Sequence, residues 1–121
     1  MAKTDVAALD HHKTRAWTDW WIQNLSDERL NQMKTIWKYK LEVIDKQTIS
    51  IPTFGEILCV MVQDDKPCIW VSVNPQNDFE QRTFIIKGTG HNIIEYNIKY
   101  IGSFLLMSGT FVGHLFEEKI Q

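Results

Sequence analysis

The run from Gly55 to Asn74 constrains this chain more than any other stretch. It reads Gly55-Glu-Ile-Leu-Cys-Val-Met-Val-Gln63, then Asp64-Asp-Lys-Pro67, then Cys68-Ile-Trp-Val-Ser-Val-Asn74. Two apolar segments around a polar break predict a β-hairpin, and side chains alternate faces along each strand. Pairing Gln63 with Cys68 across a four-residue loop sets Met61 opposite Trp70 and Cys59 opposite Ser72. One face then carries Leu58, Val60, Val62, Ile69, Val71 and Val73. The other carries Ile57, Cys59, Met61, Gln63, Cys68, Trp70 and Ser72, about half of it apolar. A sheet with one dry face and one semi-dry face needs a cover on both sides.

The rest of the chain supplies the other layers. From Thr35 onward the apolar period is two, which predicts strands near 35–43, 47–51, 56–63, 67–74, 82–88, 98–107 and 110–117. Pro52, Gly55, Asn74-Pro75, Gly88-Thr89-Gly90 and Ser108-Gly109 punctuate them. Ser108-Gly109 fits a two-residue hairpin turn, which places Leu105 against Val112, Ser103 against His114 and Ile101 against Phe116. Short strands at this spacing point to an all-β sandwich or flattened barrel of about seven mostly antiparallel strands.

Residues 1–32 have a different period. Ala16, Trp17, Trp20, Trp21 and Leu25 are spaced by three and four, a helical stripe with Thr14 placed to cap it. The chain therefore divides into an N-terminal helical arm, 1–32, and a β domain, 33–121. Exposed aromatic stripes mark interfaces. Trp17, Trp20, Trp21 and Leu25 are expected either to fold back on the chain's own sheet or to contact a neighbouring subunit in a homo-oligomer.

Composition excludes some classes. The 121 residues carry 13 Lys and Arg against 15 Asp and Glu, a net charge of -2, which argues against a general nucleic-acid binder. Lys34, Lys38 and Lys40 alternate with Trp37, Tyr39 and Leu41, as on a strand with one wet face. No apolar run approaches the roughly 18 residues that span a membrane, and no signal-like segment opens the chain, so a cytosolic site is expected. Cys59 and Cys68, more than about 10 Å apart in the pairing above, are expected to be free thiols. No histidines stand near them at zinc-ligand spacing, so neither metal nor cofactor is expected.

The candidate binding element is the turn Gly88-Thr89-Gly90-His91. Two glycines let a backbone approach a ligand closely, and oriented N–H groups can hold an anion. Arg82, Gly88, Thr89, Gly90, His91 and Asn92 form the candidate site for a small phosphate-bearing ligand. The plainer alternative makes the loop a turn and pairs Arg82 with Glu80. His114 falls on a strand face with Val112 and Phe116, opposite Ser103, where a satisfied structural histidine is expected. Ser103, His114 and Glu117 lack the strand–turn–helix elbow of a serine hydrolase, and Asp64-Asp65 and Glu117-Glu118 read as a solvated tip and a frayed end. No catalytic constellation emerges.

Several segments together carry a resemblance: Ile36-Trp-Lys-Tyr-Lys-Leu41, Ile49-Ser-Ile-Pro52, Glu56-Ile-Leu-Cys-Val60, Gln63 with Pro67-Cys-Ile-Trp70, Arg82-Thr-Phe84, Gly88-Thr-Gly-His91, Lys99-Tyr-Ile-Gly102 and His114-Leu-Phe-Glu117. From Met33 to Glu117 the chain resembles a family of small bacteriophage and prophage proteins to which no function is assigned. The resemblance implies a phage genome and a compact β domain, and brings no catalytic residues with it. A non-enzymatic phage accessory binding protein is the resulting expectation. It would act in the host cytoplasm as an antagonist of a host defence component, by occluding a protein or sequestering a small signal. The alternative is a virion accessory protein that uses the arm for assembly.

Overall fold

In the computed structural model, which describes residues 33–119, the chain forms seven strands: β1 (Thr35–Lys40), β2 (Lys46–Pro52), β3 (Glu56–Gln63), β4 (Lys66–Val73), β5 (Phe79–Gly88), β6 (Ile98–Leu106) and β7 (Phe111–Glu118). They make a three-stranded sheet, β1-β4-β3, and a four-stranded sheet, β2-β5-β7-β6, with every pairing antiparallel. The expected helical arm, with Trp17, Trp20, Trp21 and Leu25, lies outside the described residues.

The inner faces follow from alternation. Tyr39, Ile69, Val71 and Val73 from the first sheet meet Ile51, Phe84, Ile86, Phe104, Leu106 and Leu115 from the second, and Leu41 joins them. On one side of this core β3 and β6 come close. A Cβ on Gly102 would sit only 3.0 Å from Val60 Cγ1, so glycine permits the approach.

The β3–β4 hairpin is tighter than alternation alone suggests. Gln63 pairs with Lys66 and Met61 with Cys68, so the connection is the two residues Asp64 and Asp65. Both have positive φ, 55° and 58°, the conformation a tight primed hairpin turn demands and one that Asp tolerates. Cys59 therefore faces Trp70, not Ser72. A bulge between Ile57 and Cys59 then turns Ile57 toward the core and leaves Leu58 exposed. Cys59 and Cys68 become diagonal neighbours on the outer face, roughly 7–8 Å apart, and both thiols are free.

The β6–β7 hairpin departs in the other direction. Leu105 faces Val112 and Ser103 faces His114, as the alternation requires, but the loop is the four residues Met107 to Thr110. Its left-handed course, with φ of 51° at Met107, 55° at Ser108 and 86° at Gly109, includes more than the Ser-Gly pair. A register shift between Tyr100 and Gly102 puts Tyr100, not Ile101, opposite Phe116. Met107 N–H donates to Asp65 Oδ1 at 3.2 Å, tying the two hairpin tips together.

β5 and β6 both run antiparallel to β7, which lies between them. The connection 89–97 must therefore cross from the end of β5 to the far end of β6 over the outer face of that sheet. This crossover positions the candidate site.

Candidate functional site

Lys87 on β5 and His114 on β7 are cross-strand partners, and Ser103 on β6 is opposite His114 on its other side. All three point outward, because their neighbours Ile86 and Leu115 point into the core. Tyr100 completes the patch, its ring edge-on to Phe116 at 5.2 Å and 6.0 Å from the His114 imidazole.

The crossover is pinned to this patch along its length. Gly88 N–H donates to His91 Nδ1 at 3.0 Å, and His91 N–H donates to Gly88 O at 3.0 Å. Thr89 N–H donates to Val112 O at 3.2 Å, and Thr89 Oγ1 lies 2.8 Å from His114 Nε2. The other nitrogen, His114 Nδ1, lies 3.0 Å from the Tyr100 hydroxyl. Further on, Glu95 Oε2 lies 3.4 Å from Lys87 Nζ, and Lys119 N–H donates to Asn97 O at 2.8 Å.

Lys87 is the electrostatic centre. It is only 8% exposed, and Nζ donates to Asp45 Oδ1 at 3.0 Å. The Asp45 hydrogen bond, opposed by burial and seconded by Glu95, holds its ammonium above the usual lysine range. The Glu95 side chain turns down onto the sheet and is 18% exposed, while its neighbours point away: Ile94 is 79% and Tyr96 97% exposed.

Chemically, a threonine hydroxyl hydrogen-bonded to an imidazole matches the nucleophile–base half of a covalent relay. The third group here is a phenol, which does not stabilise an imidazolium as a carboxylate would. The arrangement holds the imidazole between two hydroxyls. Among the described residues no three His, Cys, Asp or Glu side chains converge where a metal could bind, and no helix is long and apolar enough to cross a membrane.

Gly88, Thr89, Gly90, His91 and Asn92 lie together at the start of the crossover, but the N–H groups of Gly88, Thr89 and His91 are engaged within the fold. Arg82 stands apart, six residues earlier on β5, roughly 20 Å along the strand. It shares its inward face with Phe84, as its parity dictates, and closes that end of the sandwich. Its partner is Glu117, not Glu80: Nε and Nη2 donate to the carboxylate at 2.6 and 2.9 Å, and Nη1 donates to Gly55 O at 2.5 Å. Glu117 is thus an ordered ion-pair partner, not part of a frayed end. An open recess beside the pair is lined by Glu80, Lys99, Glu118 and Lys119.

Sequence reasoning did not single out Lys87, Asp45, Glu95 or Tyr100. The available signal was Lys87 itself, a charge directly following Ile85-Ile86 within a strand. Such a position requires a counter-ion.

Residues 33–121 match the family described as a domain of unknown function (DUF7352). No curated protein and no solved structure matches the chain.

Proposed function

The chain belongs to the DUF7352 family, and from that premise we propose that it is a non-enzymatic binding protein that engages a protein partner through the crossover 89–97. The observation that carries this reading is the opposed orientation of adjacent residues. Glu95 is clamped onto Lys87, while Ile94 and Tyr96 on either side are almost fully exposed. An anchored loop presents apolar side chains with little ordering cost on binding, and tyrosine is enriched at interface hot spots. The resemblance to phage and prophage proteins gives the biological setting. The partner we propose is a host defence component, occluded by this surface during infection.

The test is phage challenge of defence-bearing bacteria expressing the chain. Wild type should raise plating efficiency, and Ile94→Asp with Tyr96→Ala should abolish that rise without changing the protein's thermal stability. Unchanged plating with wild type, together with abundant copies in purified virions, would overturn the reading in favour of a virion accessory role.

A further inference from the structure

The two sheets differ in how their outer faces are covered. The four-stranded sheet carries its own roof, the crossover 89–97 seated on Lys87 and His114, and Ile85 on the same face is completely buried. The three-stranded sheet has none among the described residues. Connections 41–45, 53–55 and 74–78 all lead to the other sheet, and the fourth is the Asp64-Asp65 turn.

That uncovered face is partly apolar. Its rows are Ile36–Ser72–Glu56, Lys38–Trp70–Cys59 and Lys40–Cys68–Met61. Ile36 is 53% and Met61 52% exposed, with Trp70 and Cys59 intermediate. The Lys38 amine reaches Gln63 on β3, so its stem crosses β4 above Cys68, which is fully buried. The lysine stems thus cover the row of Cys68 and leave Ile36, Trp70 and Cys59 open toward the other end, with Met61 exposed at the β3 edge.

We propose that residues 14–25 of the same chain, with Trp17, Trp21 and Leu25 toward the sheet, cover this face. The occupant is specified by where the chain runs. Residues 1–34 lead directly into β1, an edge strand of the uncovered sheet. The segment 26–34 can span up to about 30 Å, and three strands are only about 10 Å across. The helix that the spacing of Trp17, Trp21 and Leu25 predicts over 14–25 would be about 18 Å long, within the roughly 26 Å of an eight-residue strand such as β4. The indoles would meet the apolar end of a face whose other end is cationic and wet. The crossover, on the opposite side of the sandwich, stays free.

Cys59 reports on this directly, because it lies in the open part of the face and Cys68 serves as the buried control. The full chain and the variant Trp17→Ser/Trp21→Ser/Leu25→Ser are reacted with a thiol reagent between micromolar and hundred-micromolar protein. Cys59 should react about tenfold more slowly in wild type than in the variant, independently of protein concentration, while Cys68 stays unreactive in both. Equal Cys59 rates would overturn the proposal, and so would protection that disappears on dilution, which would place a second copy on the face. Should the variant also expose Cys68, disulfide capture decides. Under oxidation, Trp21→Cys should cross-link to Cys59 within one chain. No link, or links only between chains, would refute the proposal.

Discussion

Glu95 Oε2 lies 3.4 Å from Lys87 Nζ, and that contact sets the direction of the whole crossover. Glu95 turns down onto the sheet, while its neighbours Ile94 and Tyr96 turn outward. The first prediction concerns this clamp. Glu95→Ala leaves Lys87 paired with Asp45 but frees the crossover. The Thr89, His91 and Lys119 amides, which hydrogen-bond along the crossover, should exchange with solvent about tenfold faster, while those inside β5 and β7 keep their protection. Uniform exchange rates in the two proteins would show that the clamp does not hold the loop.

The second concerns Arg82 and Glu117, whose side chains are 14% and 17% exposed. Arg82→Ala leaves a carboxylate shielded from water without its partner, and should cost about 3 kcal/mol. Replacing both, as Arg82→Met with Glu117→Leu, should recover most of that loss because no unpaired charge remains. Urea midpoints measure both, and a double variant as weak as the single one would contradict the account.

Alkaline stability provides a third test. Burial pushes the Tyr39 phenol up to about 12, with Arg82 opposing, and its hydroxyl is buried without a hydrogen-bond partner among the described residues. The unfolded chain loses this proton near pH 10 while the folded chain keeps it to about pH 12. Folded protein therefore binds more protons between those values, and stability falls as pH rises through that window. Lys87, also raised, adds a loss of the same sign above the usual lysine value. Tyr39→Phe removes both the orphaned hydroxyl and its titration. It should gain about 1 kcal/mol at pH 7 and roughly 1 kcal/mol more at pH 11, read from urea unfolding.

The fourth tests packing beneath β7. A Cβ on Gly113 would lie 2.4 Å from Phe104 Cζ, so Gly113→Ala cannot fit without displacing that ring. It should destabilise by about 2 kcal/mol, and Phe104→Leu should restore part of the loss in the same background. Gly90→Ala meets no atom within 4 Å and should show only the smaller strain of its φ of 93°.

Period-two patterning determined much of this protein without any tertiary information. Alternation in 35–117 specified seven strands and most of their inward faces, because one strand face must leave water whichever sheet it joins; Leu58 and Val62, expected on the dry face, are exposed. Local turn chemistry was harder to read. Asp64-Asp65 closes a two-residue turn that the sequence suggests is longer, since either loop preserves the same alternation. Bulges at Leu58 and Ile101 were invisible for a related reason: one extra residue leaves composition unchanged but reverses the faces beyond it. The candidate site belonged to the tertiary structure almost entirely. Asp45, Lys87 and Glu95 come from three separate segments; Thr89 shares the crossover with Glu95, while Tyr100 and His114 come from β6 and β7. The crossover of 89–97 brings Glu95 to Lys87 and Thr89 to His114, and a one-dimensional pattern does not record which strand a loop passes over.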